Sequence, residues 1–222
     1  FERSPVTEII HGKAPVVVTE QGRIKAEHVV VAGNAYHTLE KRKIGGVLFP
    51  AGTYIIGTEP LPEETVQEIL PKNQSVWDMS IFLAYFRRSA DNRFLYGGEC
   101  NYSGRDPKDI KATMLPHMIE TFPILKDVKI EFEWGGMIGI TITRTPQVGR
   151  IDDNIYYAQG YSGHGVNASH IMGEILADAI TGQMERFDIF AKAKQHRIPV
   201  PRWVGNQMLA LGMLYYRIKD MF

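Results

Sequence analysis

The chain has 222 residues, of which 44% are apolar, enough to bury one hydrophobic core and a second, smaller one. Basic and acidic side chains balance at 25 each, so we expect neither nucleic acid nor a membrane surface as a partner. Cys100 has no second cysteine for an internal disulfide, and no apolar run approaches the roughly 18 residues that span a bilayer. These limits favour a cytoplasmic location.

The first third of the chain reads mainly as strands. Two β-branched runs, at 16–19 and 28–32, flank a Gln-Gly turn and predict neighbouring strands of a β-meander. Residues 47–61 alternate in polarity, which predicts a longer strand. A helix is predicted over 63–70, because prolines bracket this segment on both sides.

The middle of the chain predicts an antiparallel sheet with helices on one face. A polar turn at 89–92 separates aromatic-rich strands at 81–88 and 93–99. A helix is expected from Asp106, as its N-cap, to Phe122. Two further strands are predicted around the Gly135-Gly136 pair, at 129–134 and 138–143.

The C-terminal part has a different pattern, in which a short strand at 155–158 leads through a glycine-rich turn at 160–165 into a helix at 166–180. Gly182 is expected to stop this helix. Residues 203–222 predict an amphipathic terminal helix that packs on the core or, alternatively, presents a face to a membrane or a partner. The apolar side of the 166–180 helix is predicted from its spacing to contain Ile171, Ile175, Leu176, Ala179 and Ile180.

The turn from Gly160 to Val166 is the segment with the most chemical information. Its glycines allow a ligand to approach the backbone, and the helix that follows offers unpaired N–H groups and a positive dipole end. Four interpretations compete: a nucleophile at Ser162, a metal site at His164 and His170, a plain structural turn, and a site for an electron-rich ring. The Ser162 motif lacks its last glycine, and a spacing of six separates the two histidines on a helix.

A resemblance to a known family favours the last interpretation. The run 154–166, Asn-Ile-Tyr-Tyr-Ala-Gln-Gly-Tyr-Ser-Gly-His-Gly-Val, with the segments at 173–183 and 186–190, resembles the C-terminal signature of the FAD-dependent glycine, sarcosine and D-amino-acid oxidase superfamily. Segments at 29–36, 85–98 and 134–149 match the same family in the same order. Within the family, the match is greatest to amine oxidases of polyamine breakdown.

The resemblance implies an α+β fold, the C-terminal part of a two-domain FAD-linked oxidoreductase. In it, residues 1–43 form part of the FAD-binding domain, 44–136 form an antiparallel substrate domain, and 137–222 return to the FAD-binding domain and add the terminal helices. It implies no metal and assigns no catalytic residue, and it gives His164 a structural or electrostatic role. The residues that it places at the cofactor are Val6, Ala32, Gly33, Gly163, His164, Gly165 and Val166.

The implied reaction oxidises a carbon–nitrogen bond by hydride transfer to flavin, with oxygen as the electron acceptor. Two departures from the family pattern refine it. No cysteine lies in the loop at 139–146, so FAD should be bound non-covalently. Asn167 replaces the lysine that holds a substrate carboxylate in sarcosine oxidases, which favours an amine without a carboxylate at its reactive end.

A third departure concerns the cofactor pyrophosphate. The 222 residues contain neither the Gly-x-Gly-x-x-Gly of the family's N-terminal segment nor its ribose-binding acid. We therefore expect this sequence to start within a longer protein. By itself, the polypeptide should bind FAD weakly and be inactive. A sarcosine- or glycine-type oxidase or a dehydrogenase, and a non-catalytic interaction module, are the alternative functions.

Overall fold

The structure is a computed structural model, and it describes residues 1–79, 83–103, 105–197 and 202–220. Its strands are β1 Val6–Ile10, β2 Val16–Thr19, β3 Gly22–Lys25, β4 Val29–Val31, β5 Phe49–Pro60, β6 Val76–Trp77, β7 Tyr85–Arg88, β8 Arg93–Asn101, β9 Ile130–Ile140, β10 Gln147–Asp152 and β11 Ile155–Gln159. Its helices are α1 Lys41–Ile44, α2 Glu63–Ile69, α3 Ile110–Thr121, α4 Gly165–Ile180, α5 Glu185–Ala191 and α6 Arg202–Asp220, with a 3-10 turn at Pro123–Leu125.

The chain divides into two compact units. Phe1–Pro50 and Ile138–Gly205 form the first, and Ala51–Met137 with the residues from Asn206 onward form the second. The predicted mixture of helices and sheets is confirmed. The assignment of 44–136 to a substrate domain stays a prediction.

The first unit contains two three-stranded sheets, β1-β2-β3 and β10-β11-β4. In the second of these, β11 pairs antiparallel with β10 and parallel with β4. Helix α4 packs on this sheet through residues at helical spacing, as its sequence predicts. The buried cluster consists of Val148, Tyr156, Ala158, Met172, Ile175, Leu176, Ala179 and Phe187. Ile171, which was predicted to share this apolar side, is instead 46% exposed, because it lies at the edge of the buried stripe.

The second unit is built on a five-stranded sheet in the order β6-β7-β8-β5-β9. Alternate side chains of β5 and β8 point to one face, where they pack against helix α3. The predicted hairpin is confirmed, since β7 and β8 pair antiparallel on either side of the 89–92 turn. Its first strand starts at Tyr85, and residues 81 and 82 of the prediction lie outside the described part. The core of this unit includes Tyr54, Ile56, Phe94, Tyr96, Met114 and Met118.

The predicted meander pairing was wrong. The strand after the Gln-Gly turn is β3, which pairs with β2, whereas the apolar strand β4 belongs to the other sheet. The sequence of β3 is Gly-Arg-Ile-Lys and all four residues are exposed, so it lacks the apolar alternation by which strands are recognised.

The predicted N-cap of α3 was also wrong. Helix α3 starts three residues later than a cap at Asp106 implies, and its N-cap is Asp109, whose carboxylate accepts a hydrogen bond of 2.7 Å from the backbone N–H of Ala112. Asp106 instead accepts a hydrogen bond of 3.2 Å from the Tyr54 hydroxyl. Both aspartates precede a helix-compatible sequence, and only the backbone geometry distinguishes them.

The two strands that were predicted around Gly135 are one continuous strand, β9. Gly135 does not form a turn. A Cβ atom at this position would lie 2.6 Å from Cδ1 of Tyr54 and 3.3 Å from the Thr53 carbonyl oxygen, so glycine is required by the close approach of a neighbouring aromatic ring.

Part of the apolar face of the terminal helix α6 is exposed. Among its described side chains, Met208, Leu211 and Leu214 are each more than half exposed, whereas Leu209 and Met213 are half-buried, so the prediction that this face packs on the core is met only in part. Amphipathic spacing shows which side of a helix is apolar, and it does not show what covers that side. Residues 221 and 222 of the predicted helix lie outside the described residues.

Candidate functional site

The candidate site lies at one edge of the β10-β11-β4 sheet. Because β4 and β11 run parallel, their carboxyl ends meet at the same edge. Ala32 and Gly33 follow β4 there, and the Gly160 turn follows β11. The carboxyl ends of parallel strands are where open α/β sheets bind their ligands.

A cleft of about 450 Å³ lies beside β4 in the first unit. Three of the predicted cofactor residues, Val6, Ala32 and Gly33, line it, and all three are exposed. Valine side chains of β1, β2 and β4 make most of its wall apolar. The other lining residues are Pro5, Ile9, Val17, Val29, Val30, Val31, Tyr36, His37, Thr38 and Leu39.

The turn from Gly160 to His164 is fixed by hydrogen bonds that its N–H groups donate to other segments of the same unit. The Gly160 N–H donates to Oδ1 of Asn34 at 2.9 Å, and the Ser162 N–H donates to the carbonyl oxygen of Gly139 at 2.9 Å. Gly163 has a φ of +91°, a left-handed conformation that glycine adopts without strain. The turn is therefore preorganised before any ligand binds.

Ser162 is a structural residue in this turn. It is 4% exposed, and its hydroxyl accepts a hydrogen bond of 3.2 Å from the Thr141 N–H and donates one of 3.2 Å to the carbonyl oxygen of Gly160. A nucleophile must reach a substrate and contact a base, whereas this hydroxyl is buried, and its partners in the described part of the chain are two backbone groups and the Thr141 hydroxyl. The hydrolase alternative has no support here.

Helix α4 begins directly after the turn, with His164 as its N-cap and no side-chain cap. The first N–H groups of a helix have no intrahelical acceptor and carry partial positive charge. Gly163, His164 and Val166 are exposed, with Val166 at 87%, and Gly165 is half-buried. These four predicted residues thus form an accessible helix start. They are not among the residues that line the cleft.

Two side chains that the sequence pattern does not predict for the site connect its two parts. Asn34 joins the end of β4 to Gly160, as described above. His37 lines the cleft, and its Nε2 lies 2.8 Å from Oε1 of Gln159. The polar Gln159 at the end of an otherwise apolar strand was the available signal.

The partners of Gln159 define the tautomer of His37. The amide nitrogen of Gln159 donates to Oε1 of Gln147 at 2.8 Å and to the Ile44 carbonyl oxygen at 3.1 Å. Its Oε1 therefore accepts from His37, so Nε2 of His37 carries a proton. Nδ1 of His37 is buried without a hydrogen-bond partner in the described part of the chain, and an atom of this kind calls for a further polar partner.

An ion cluster joins three segments of the first unit. Its members are His11, which follows β1, Glu40, which follows the last cleft-lining residue Leu39, and Asp152 at the end of β10. Nε2 of His11 contacts Glu40 at 2.7 Å, and its Nδ1 contacts Asp152 at 2.9 Å. The hydrogen bond to Glu40, followed by that to Asp152, raises the pKa of His11 above 6.5. An imidazolium donates from both nitrogens, so the protonated form fits this cluster.

The raised pKa predicts how stability depends on pH. The folded state binds the His11 proton more tightly than the unfolded state, so the stabilisation is complete below about pH 6.5 and is lost as the pH rises through the folded-state pKa. We expect the melting temperature to fall across this window and the fall to disappear in His11→Gln. Melting curves of both proteins at a series of pH values test this, and an equal fall in both would contradict it.

The metal alternative gains no support. His170 is on the first turns of α4, where its Nδ1 contacts the Val166 carbonyl oxygen at 2.6 Å. Within the described ranges, no three His, Cys, Asp or Glu side chains cluster as metal ligands would.

In those ranges, too, no helix combines the length and the apolar character that crossing a membrane requires.

The fold and this site define a class of protein. Residues 1–179 match the family model described as FAD dependent oxidoreductase. The chain belongs to this family of FAD-dependent enzymes, whose cofactor is FAD.

Two curated proteins are similar to this chain over almost all of its length. Gamma-glutamylputrescine oxidoreductase from Escherichia coli strain K12 is 43% identical over 99% of this chain, and the match covers 52% of that protein. Probable oxidoreductase OrdL from Haemophilus influenzae is 36% identical over 100% of the chain and 52% of its own length. This chain therefore spans about half the length of the curated relatives that it matches.

Solved structures support the fold. Glycine oxidase from Geobacillus kaustophilus matches 88% of this chain and 53% of its own, with a TM-score of 0.70 at 18% identity. Iminodiacetate oxidase from Chelativorans sp. BNC1 matches 85% of this chain and 52% of its own, with a TM-score of 0.68 at 17% identity. At these identities the likeness concerns the fold alone.

The described residues fit the cofactor of the family. The apolar cleft, the exposed helix start and the buried, unpaired Nδ1 of His37 are features that a dinucleotide can contact. Bound FAD would supply the redox chemistry, and these residues would supply position and electrostatics.

Proposed function

We propose that the polypeptide containing this chain oxidises the C–N bond of an amine of the γ-glutamylputrescine class. The observation that carries this proposal is the 43% identity to Gamma-glutamylputrescine oxidoreductase over 99% of the chain. In the overall reaction the primary amine, oxygen and water yield an aldehyde, ammonia and hydrogen peroxide. The amine loses two electrons and oxygen gains them.

In this proposal the first unit binds the cofactor through two surfaces. Val6 contacts the adenine, and Ala32 and Gly33 lie beside the cofactor at the end of β4. The start of α4, from Gly163 to Val166, directs N–H groups and a positive dipole end at the pyrimidine side of the flavin, where negative charge develops on reduction. Residues 44–136 provide the substrate domain.

The proposed substrate class rests on Asn167 as well as on the 43% sequence identity to the curated relative. Asn167 is exposed on the first turn of α4 and carries no charge, so it offers no cation for a substrate carboxylate at this position. An amine whose carboxylate is remote from the reacting carbon suits this surface better than glycine or sarcosine.

The test uses the complete natural polypeptide that contains these residues. We expect flavin absorbance bands that bleach when γ-glutamylputrescine is added without oxygen, and that bleach much more slowly with glycine or sarcosine. Peroxide formed on readmitting oxygen distinguishes an oxidase from a dehydrogenase. A protein that stays colourless after FAD is added would refute the flavoenzyme proposal and favour an interaction module.

We also propose that FAD is bound non-covalently, because the loop at 139–146 contains no cysteine. Acid precipitation should leave the yellow colour in the supernatant, and a yellow pellet would contradict the proposal.

A polypeptide limited to the 222 residues should bind FAD weakly, since it lacks a glycine-rich pyrophosphate motif. Fluorescence titration of that polypeptide with FAD measures this.

A further inference from the structure

The two parts of the candidate site are joined by a pair of side chains from one short segment. Asn34 accepts a hydrogen bond from the Gly160 N–H at 2.9 Å, and His37 donates one to Gln159 at 2.8 Å. Their partners are adjacent residues at the end of β11. Two bonds to neighbouring residues fix both the position and the direction of the chain as it enters the turn.

The Asn34 bond is specified by the backbone as well as by the side chain. Asn34 has a φ of +44°, and asparagine tolerates this left-handed conformation better than most residues. Its Oδ1 also lies where a Cβ atom on Gly139 would come within 2.3 Å, so the amide is enclosed by the same segment that accepts the Ser162 N–H. Loss of this acceptor would leave the Gly160 N–H without its partner.

The His37 bond is the outer member of a buried chain of amides. Gln159 is 1% exposed and Gln147 is 2% exposed, and Gln147 donates in turn to Oε1 of Gln195 at 2.9 Å. Both polar atoms of the Gln159 amide have hydrogen-bond partners, and a buried amide that is satisfied in this way is held in one orientation. His37 therefore connects the wall of the cleft to a fixed element of the sheet.

We propose that Asn34 and His37 are positioning residues that hold the turn and the start of α4 at the distance from FAD required to stabilise the reduced flavin. This inference rests on the proposed function. Neither side chain needs to touch the reacting atoms. Their effect passes through Gly160 to the helix N-terminus, whose charge stabilisation falls off within the first turn and so depends strongly on position.

The experiment measures the flavin midpoint potential in the complete natural holoenzyme. Asn34→Gly keeps the left-handed backbone and removes the acceptor, and His37→Leu removes the donor to Gln159. We expect each variant to bind reduced flavin about tenfold less tightly, relative to oxidised flavin, than the wild type does. For a two-electron couple, this change makes the midpoint potential about 30 mV more negative. His37→Gln has a donor at the same distance along its side chain and should restore most of the shift.

A matched control separates positioning from general stability. The side-chain nitrogen of Asn154 donates to the carbonyl oxygens of Gly12 and Lys13 at the opposite end of β11, so Asn154→Ala also removes a side-chain tie within the first unit. It should lower the melting temperature without moving the potential.

The outcomes are distinct. Wild-type potentials in both Asn34→Gly and His37→Leu, with only their melting temperatures lowered, would overturn the inference. If Asn34→Gly retains no FAD, the comparison of His37→Leu with His37→Gln decides, and equal potentials in that pair would also overturn it. A wild-type protein without flavin bands would instead refute the proposed function.

Discussion

Gly135→Ala is expected to lower the free energy of unfolding by about 3 kcal/mol, because the new methyl group has no space on this side of β9. Its Cβ would lie 2.6 Å from Cδ1 of Tyr54, well inside van der Waals contact. Tyr54 is 2% exposed and its hydroxyl donates to Asp106, so the ring is not free to move aside. Denaturant unfolding of the complete natural polypeptide measures the change.

The phenol of Tyr54 keeps its hydrogen throughout the accessible pH range. Burial first, and the adjacent Asp106 carboxylate second, raise the pKa of Tyr54 to about 12. The tie to Asp106 is therefore present under the conditions of the unfolding experiment. A combined Gly135→Ala and Tyr54→Phe variant should regain none of the lost stability, because the clash involves the ring and not the hydroxyl.

Gly173→Ala is the matched control for the same substitution. Gly173 lies within helix α4, and a Cβ atom there would meet nothing within 4 Å. Alanine in a helix interior is more favourable than glycine by about 1 kcal/mol, so this variant should be more stable than the wild type. Equal effects of the two variants would show that Gly135 is not constrained by Tyr54.

The elements that the sequence predicts well are those with a strong local pattern. The 63–70 helix, the hairpin around 89–92 and the strand, turn and helix from 155 to 180 are all present, because prolines, turn residues and apolar spacing specify each of them within a few residues. Strand β3 has no such pattern. Strand β4 was recognised as a strand, but its partner, β11, lies more than a hundred residues away along the chain, and local spacing carries no information about that pairing.

The residues of the candidate site also divide into those that the sequence predicts and those that only the tertiary structure shows. The residues that follow β4 and β11 could be selected from glycine content and family resemblance. Asn34 and His37 could not, because their bonds to Gly160 and Gln159 span 126 and 122 residues, respectively. Contacts of this length depend on the parallel pairing of the two strands, and so they become visible only with the tertiary structure.

Val166→Asp is expected to separate the stability of α4 from its proposed role at the cofactor. Val166 is 87% exposed on the first turn of α4, where a carboxylate interacts favourably with the helix dipole by about 0.5 kcal/mol. The apoprotein should therefore be as stable as the wild type or slightly more so. Reduction of the flavin by substrate should nevertheless slow by at least about tenfold, because a carboxylate at the start of α4 repels the negative charge that the flavin gains on reduction.

Val166→Asn supplies the uncharged comparison of nearly the same size. Its rate of flavin bleaching should lie close to that of the wild type, so that the difference between the asparagine and aspartate variants measures charge alone. Raising the salt concentration should recover part of the rate in Val166→Asp and leave Val166→Asn unchanged, since salt screens exposed charges. Equal bleaching rates in the two variants at low salt would mean that negative charge does not develop near the start of α4, and would remove the electrostatic role proposed for residues 163–166.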